Sequence, residues 1–289
     1  MSSSWSPSLG DIGVSVALAQ SVFYLQSVYL HRCLAHSSVS LHPTVRRGFR
    51  ILTWLLLGSD PREWVASHRL HHRYADVEGD PHSPIFAGLW NVSLRGTKLI
   101  KEACRDRERV ARLTRDMPPD MFESFPSAVR RYGGIFISLG VLLVAFGPMA
   151  MLWTYALAYA QVLAGVAIVN GLGHLPGPAV TGHIGRNLPV VALFTAGESL
   201  HANHHAAPAR TYLAIRRWEL DPGWWLITGL ARLGLAVPRY SRRRMEMVSA
   251  RQDRGRVLDR RLDASTLRAA PSSSLMAKSA RDGSDIGRS

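Results

Sequence analysis

Between Arg131 and His174 the chain runs for 42 residues, Tyr132 to Gly173, without one charged side chain. As α-helix at 1.5 Å per residue this is roughly 63 Å, about twice a hydrocarbon core of roughly 30 Å. Gly147-Pro148 interrupts the run near its middle, and such a pair marks a turn. The pattern predicts a membrane hairpin with spans at about 133–150 and 151–170. The alternative, two core helices of a soluble bundle, fits poorly, because such helices keep a charged outer face. A second uncharged stretch, Ile12 to Leu30, is 19 residues or roughly 28 Å of helix, and predicts one further span near 12–30 despite Gln20 and Gln26. It does not read as a secretory signal, since no basic residue precedes it and no small-residue cleavage site follows before His31. Ile51–Ser59, Asn187–Gly197 and Pro222–Ala231 are too short to cross and are expected to be buried or interfacial helices. Lys98 to Arg115 reads as one solvated helix.

Charge is segregated in the same way. Lys plus Arg number 35 against 21 Asp plus Glu, a net +14. Residues 239–289 hold 13 Lys/Arg and 6 Asp/Glu, half of that excess. The basic balance therefore sits in a tail and not on a recognition element, so it does not indicate nucleic-acid binding. Its arginines, Arg242, Arg243 and Arg244 first, suit an anionic membrane surface, and its end beyond Pro271 reads as dispensable disorder. Together with Arg130-Arg131 at the foot of the hairpin, this bias places both hairpin ends and the C-terminus in the cytosol. The domain plan is one membrane-embedded unit over 1–238 and a basic tail over 239–289. Two cysteines, Cys33 and Cys104, exclude a disulfide scaffold and a cysteine-rich metal site.

The chemistry lies in the histidines. Nine of twelve fall into four clusters: His31-Arg-Cys-Leu-Ala-His36, His68-Arg-Leu-His71-His72, Asn170-Gly-Leu-Gly-His174 and His201-Ala-Asn-His204-His205. Two copies of H-x-x-H-H in a chain with 12 histidines in 289 residues are not a chance pattern. In a helix, positions i, i+3 and i+4 share a face, so each copy can aim three imidazoles at one point. His31 and His36, at i and i+5, do not quite share a helical face. Every cluster lies on the side assigned to the cytosol, so all can converge on one membrane-facing site. Imidazole suits iron, zinc, copper and nickel, and nine nitrogens exceed the needs of one metal of four to six coordination, which makes two ions the natural count. His42, His82 and His183 read as ordinary surface or supporting histidines, and Cys33 as packing.

The order HRCLAH, HRLHHRYADVEGDPH, NGLGH and GESLHANHH resembles the membrane-bound fatty acid desaturase family, specifically its acyl-CoA, delta-9 branch, over about residues 28–225. Trp64, Asp80-Pro81-His82 and Gly197-Glu198 also agree with the pattern. The resemblance implies an all-α fold of membrane helices under a cytosolic helical cap that holds a non-haem di-iron centre. The ligands it implies are His31, His36, His68, His71, His72, His174, His201, His204 and His205, with Asn170 acting through water and Trp64 near the substrate. It implies O2-dependent desaturation of a long acyl chain. The electrons would come from an external ferredoxin, cytochrome b5 or rubredoxin-like donor and its reductase, since no flavin, nicotinamide or iron–sulfur motif is visible. An unactivated methylene has no acidic proton, which is why an oxidising metal site and not an acid–base pair is needed. A hydroxylase or ketolase on the same platform is the alternative chemistry, and a non-enzymatic metal-binding membrane protein is the alternative class, although no histidine box is lost. The chain departs from the pattern at Ala167, Ile168 and Val169, where a Trp is common, at Ser67, where an acid is common, and in having one span before the first box where two are usual. These positions leave the carrier open among CoA, acyl carrier protein and lipid. The expected location is a bacterial inner membrane, with the site on the cytosolic face.

Overall fold

A computed structural model describes residues 6–175 and 185–239; the tail from Tyr240 onward, with Arg242–Arg244, and His183 lie outside the described residues. The protein is mostly helical. Helix α1 (Leu9–Tyr24) begins at a capping box in which the Ser8 hydroxyl accepts from the Asp11 N–H and the Asp11 carboxylate accepts from the Ser8 N–H. It passes without a break into a π-helix, Leu25–Ala35. Strand β1 (Val39–Leu41) follows, then α2 (Pro43–Leu57) and α3 (Pro61–Tyr74), each with proline in its first turn. His42 caps α2 and is exposed, the ordinary role expected of it. The next helices are α4 (Pro84–Ala87), α5 (Leu89–Ala103) and α6 (Arg107–Leu113). The single helix expected over Lys98–Arg115 is in fact two. Cys104 is buried, with its thiol donating to the Glu63 carbonyl, and Asp106 caps a fresh start for α6. One buried cysteine in a charged stretch has no helical periodicity, so the break was not visible.

The long apolar run forms α7 (Gly134–Val166), preceded by a π-helical turn, Val129–Gly133, and followed by another, Ala167–Gly171. Inside α7 the backbone breaks at Gly147, whose φ of 81° and ψ of 172° are not helical. Such a positive φ is open to glycine at little cost, and Pro148 then starts the next helix without needing an N–H partner. The turn thus falls at the Gly147-Pro148 pair, as expected, a few residues before the approximate span limit at 150. Both ends of the hairpin return to the same region. At its start, Arg130 pairs with Asp60 at 3.0 Å and Arg131 with Glu63 at 2.8 Å. At its end lies His174. The second arm runs beside α1 in the same direction, with Gln161 donating to Ser15 at 3.2 Å and the Phe23 ring seated where Gly165 has no side chain.

Two segments, Leu9–Ala35 and Val129–His174, are long and apolar enough to cross a membrane. In the second, only 6% of the most apolar window is buried by protein, leaving Phe136, Val141, Val144 and Phe146 exposed. An outward apolar surface of this kind is the mark of a face that meets a membrane or a partner. The three segments expected to span are thus helical, as one continuous helix and a pair broken at Gly147. Of the shorter runs, Ile51–Ser59 lies within and just beyond α2, and Pro222–Ala231 falls within α10 (Pro222–Arg232). Asn187–Gly197 contains only one helical turn, α8 (Pro189–Ala192). After α8 comes the six-residue α9 (His201–Ala206), and strand β2 (Ala236–Pro238) pairs antiparallel with β1, Ser40 opposite Val237. Among the described residues, this small ribbon and an isolated bridge between Asn187 and Leu200 are the departures from an all-helical fold. Beneath the ribbon, Val28, Leu30, Val65 and Ile227 form a core joining the π-helix, α3 and α10, with Cys33 packed against it as expected.

Candidate metal centre

The first histidine pair depends on the π-helix. At 100° per residue an α-helix would set His31 and His36 about 140° apart, which is why they do not quite share a face on paper. In the structure the His36 N–H donates to the His31 carbonyl at 3.0 Å, an i to i+5 bond that stacks one residue over the other across a wide turn. Their rings come within 4.8 Å. Arg69 closes the end of this helix by donating to the Leu34 and Ala35 carbonyls, each at 2.9 Å, and so partners two terminal acceptors that the helix itself leaves open.

On α3 the regular α-helical spacing does suffice, and His68, His71 and His72 project together from a helix capped by Asp60. α9 is too short to hold its own orientation. It is held by Asn203, which donates to the Leu213 carbonyl at 2.9 Å and to Glu219 at 2.8 Å, and accepts from Asn187 at 2.7 Å. His174 comes off a 3₁₀ turn, Leu172–His174, that follows the π-turn at the end of the hairpin.

All nine clustered histidines meet. They form two groups, His31, His36, His68, His72 and His204 in one and His71, His174, His201 and His205 in the other, each with nitrogens within 4.8 Å of one another. The closest approaches are all between Nε2 atoms: His31 to His204 at 3.0 Å, His204 to His72 at 2.8 Å, His36 to His68 at 2.9 Å. In the second group, His201 meets His174 at 2.6 Å, His205 meets His201 at 3.0 Å and His71 meets His205 at 3.2 Å. Asn170 lies one turn before His174 and is half-buried. Trp64 stacks on the His68 ring at 5.1 Å, against the first group.

The opposite ring nitrogens explain this pattern. His71 Nδ1 lies 2.9 Å from Asp80, His174 Nδ1 2.9 Å from Asp76 and His31 Nδ1 2.8 Å from Glu198. A carboxylate there holds the proton on Nδ1 and leaves the Nε2 lone pair free. Lone pairs that face each other at about 3 Å repel. Two nitrogens each about 2.1 Å from a shared cation, at right angles, stand about 3 Å apart, so the spacing fits a metal between them. Burial, reinforced by repulsion from neighbouring imidazoles, holds His68, His71, His72, His201 and His204 well below the ordinary imidazole range and takes His36 down to about 2. Neutral imidazole is the ligating form.

The Fatty acid desaturase family profile matches residues 10–241. The chain belongs to the fatty acid desaturase family. It is 32% identical to Delta-9 acyl-lipid desaturase 1 of Arabidopsis thaliana over 233 residues, covering 77% of this chain and 74% of that protein. It is 31% identical to Icosanoyl-CoA 5-desaturase of Limnanthes douglasii, covering 72% of this chain and 58% of that protein. Acyl-CoA C20 Delta5-desaturase of Anemone leveillei is likewise 31% identical, with 72% of this chain and 66% of that protein covered. The protein is accordingly an oxidoreductase acting on fatty acids, of a family that uses iron, and its all-nitrogen, neutral donor groups fit that metal.

In the sequence Asp80 and Glu198 stand out only as family neighbours, and nothing marks the parts played by Asp76, Asn187, Asn203 or Glu219. Nothing local marks a carboxylate that supports an imidazole 98 residues away, as Asp76 supports His174. His82 is one of the histidines expected to be ordinary or supporting. It stacks on His71 at 4.4 Å, beside Asp80, and burial lowers its pKa to about 4.

Two outcomes follow. Asp80→Asn keeps the shape but cannot hold the His71 proton as a carboxylate does, and should weaken iron binding about 10- to 100-fold. Competition with a ferrous chelator measures this, and unaltered affinity would show Asp80 to be merely structural. Acid should also release iron. The histidines named above have folded pKa values below the unfolded value of about 6.5, so the unfolded chain takes up protons first as pH falls. Stability and metal retention are therefore present above about pH 6.5 and decline below it. Iron content after anaerobic dialysis at pH 5 should fall well below that at pH 7.5; equal content would contradict the assignment of neutral buried ligands.

Proposed function

We propose that this protein is an O2-dependent delta-9 desaturase of long-chain acyl-CoA, with two iron ions held by His31, His36, His68, His72 and His204 on one side and by His71, His174, His201, His205 and, through water, Asn170 on the other. The observation that carries the reading is the division of nine Nε2-directed histidines into two adjoining groups. Bound iron supplies the oxidising power, from O2, that removes one hydrogen from each of two neighbouring methylenes. Those two hydrogens, two electrons from an external donor and two protons reduce O2 to two waters. Asp76, Asp80 and Glu198 keep Nδ1 protonated so that Nε2 remains a ligand. The apolar helices that end at the histidines offer the acyl chain a water-free path, where each buried CH2 contributes about 0.8 kcal/mol, and Trp64 sits where such a chain reaches the first group. A ferredoxin, cytochrome b5 or rubredoxin-like protein is the proposed donor.

Residues 1–238 act in this reading as one membrane-embedded unit, with its histidines on the cytosolic face of a bacterial inner membrane. A reporter fused at the C-terminus, active only inside the cell, tests the sidedness. The chemical test is expression with a compatible donor and feeding of stearate deuterated at carbons 9 and 10. A cis double bond at that position with loss of two deuterium atoms is the expected product. A hydroxylated product would move the assignment to a hydroxylase on the same metal platform, and a double bond elsewhere would overturn the delta-9 reading.

A further inference from the structure

A cavity of about 560 Å³ is lined by none of the nine histidines. It lies where α5 and α6 meet the foot of the membrane hairpin, and its volume is within the roughly 300–1,000 Å³ of ligand sites. Five cations surround it, Lys98, Lys101, Arg105, Arg107 and Arg131, against the carboxylates of Glu63 and Glu102. Glu63 is spent on Arg107 at 2.7 Å and Arg131 at 2.8 Å. Glu102 reaches Lys98 at 3.9 Å and Arg105 at 3.8 Å. Five positive charges on two negative ones leave three without compensation. Lys101 has no carboxylate among the described residues, and its ammonium rests on the Tyr132 hydroxyl at 2.8 Å.

Tyr132 links this cavity to the apolar arm. It opens the uncharged run, and Phe136, 70% exposed, and Leu143 continue down the outer face at helical spacing. A cationic recess at the mouth of an apolar stripe, with an aromatic ring at the border, has the chemistry of one molecule with an anionic head and hydrocarbon tails. We propose that the cavity holds the headgroup phosphate of an anionic phospholipid, whose acyl chains lie along Tyr132, Phe136 and Leu143. The bound lipid braces α5 and α6 against the hairpin foot. This rests on the hairpin crossing the membrane and is independent of the reaction assigned to the histidines.

The test uses the full chain purified in a neutral detergent, with dioleoyl phosphatidylglycerol, dioleoyl phosphatidylcholine and inorganic phosphate as probes. Binding is read by native mass spectrometry and by the thermal unfolding midpoint. Phosphatidylglycerol should be retained and should raise the midpoint, while phosphatidylcholine and phosphate do neither at equal concentration. Lys98→Gln with Lys101→Gln should weaken phosphatidylglycerol binding roughly 30-fold, about 1 kcal/mol per basic residue. Arg46→Gln with Arg47→Gln, an equal loss of charge on α2, should leave it unchanged. Equal behaviour of the two lipids, an equal effect of phosphate alone, or equal weakening by both double variants would overturn the proposal.

Discussion

His204→Ala and His71→Ala should each abolish bound iron and desaturation together, with activity reduced by more than about 100-fold. His204 Nε2 stands between His31 and His72, at 3.0 and 2.8 Å, so its removal takes the shared member from the first group. His71 belongs to the second group of four and meets His205 at 3.2 Å. Loss of a direct ligand should exceed the 10- to 100-fold cost typical of a supporting residue. Iron per chain after anaerobic purification, with product formation by the same sample, checks both effects. If either variant keeps full iron and full activity, the two-group assignment is wrong. A variant that loses metal from one group alone would show how far the sites bind independently.

Asp221→Ala should cost about 3–5 kcal/mol, a large share of the 5–15 kcal/mol by which a protein domain is stable. Arg32, adjacent in sequence to His31, is 1% exposed, as is Asp221. The Asp221 carboxylate accepts from the Arg32 guanidinium at 2.8 Å, from the Leu213 N–H at 2.6 Å and from the Trp224 N–H at 3.0 Å. It thus joins the π-helix, the chain after α9 and the start of α10. Alanine leaves a buried guanidinium facing no carboxylate but the more distant Glu198, at 3.9 Å, and frees two backbone donors. Little folded protein should accumulate in the membrane. The double variant Arg32→Met with Asp221→Leu removes both charges and should recover only the share of the loss owed to the unpaired guanidinium, since the Leu213 and Trp224 N–H groups still lack their acceptor. Wild-type abundance and melting temperature in Asp221→Ala would refute this account.

The histidine boxes were legible because their spacing is a local property of a helix, and the hairpin because a long uncharged run has few other uses. What was not legible is nonlocal. Asp76 and Asp221 act on residues 98 and 189 positions away, and neither carries a motif. The i, i+5 spacing of His31 and His36 was visible but looked unfavourable, since the wide turn that aligns them is set by packing and by Arg69 and not by propensity. The helix break at Cys104 depends on where one thiol is buried.

That wide turn limits how the protein can be improved. Routine stabilisation favours regular helices, and Leu25–Ala35 would be an obvious target, since π geometry is rare in soluble and membrane helices alike. Restoring ordinary winding there would strengthen the segment as a helix while swinging His36 away from His31 and shifting everything before it by about one residue's rotation. An engineered variant tightened in this way should bind less iron and, with Arg32 on the same turn swung out of register with Asp221, should not melt later, so helix regularity would be a misleading guide for this enzyme.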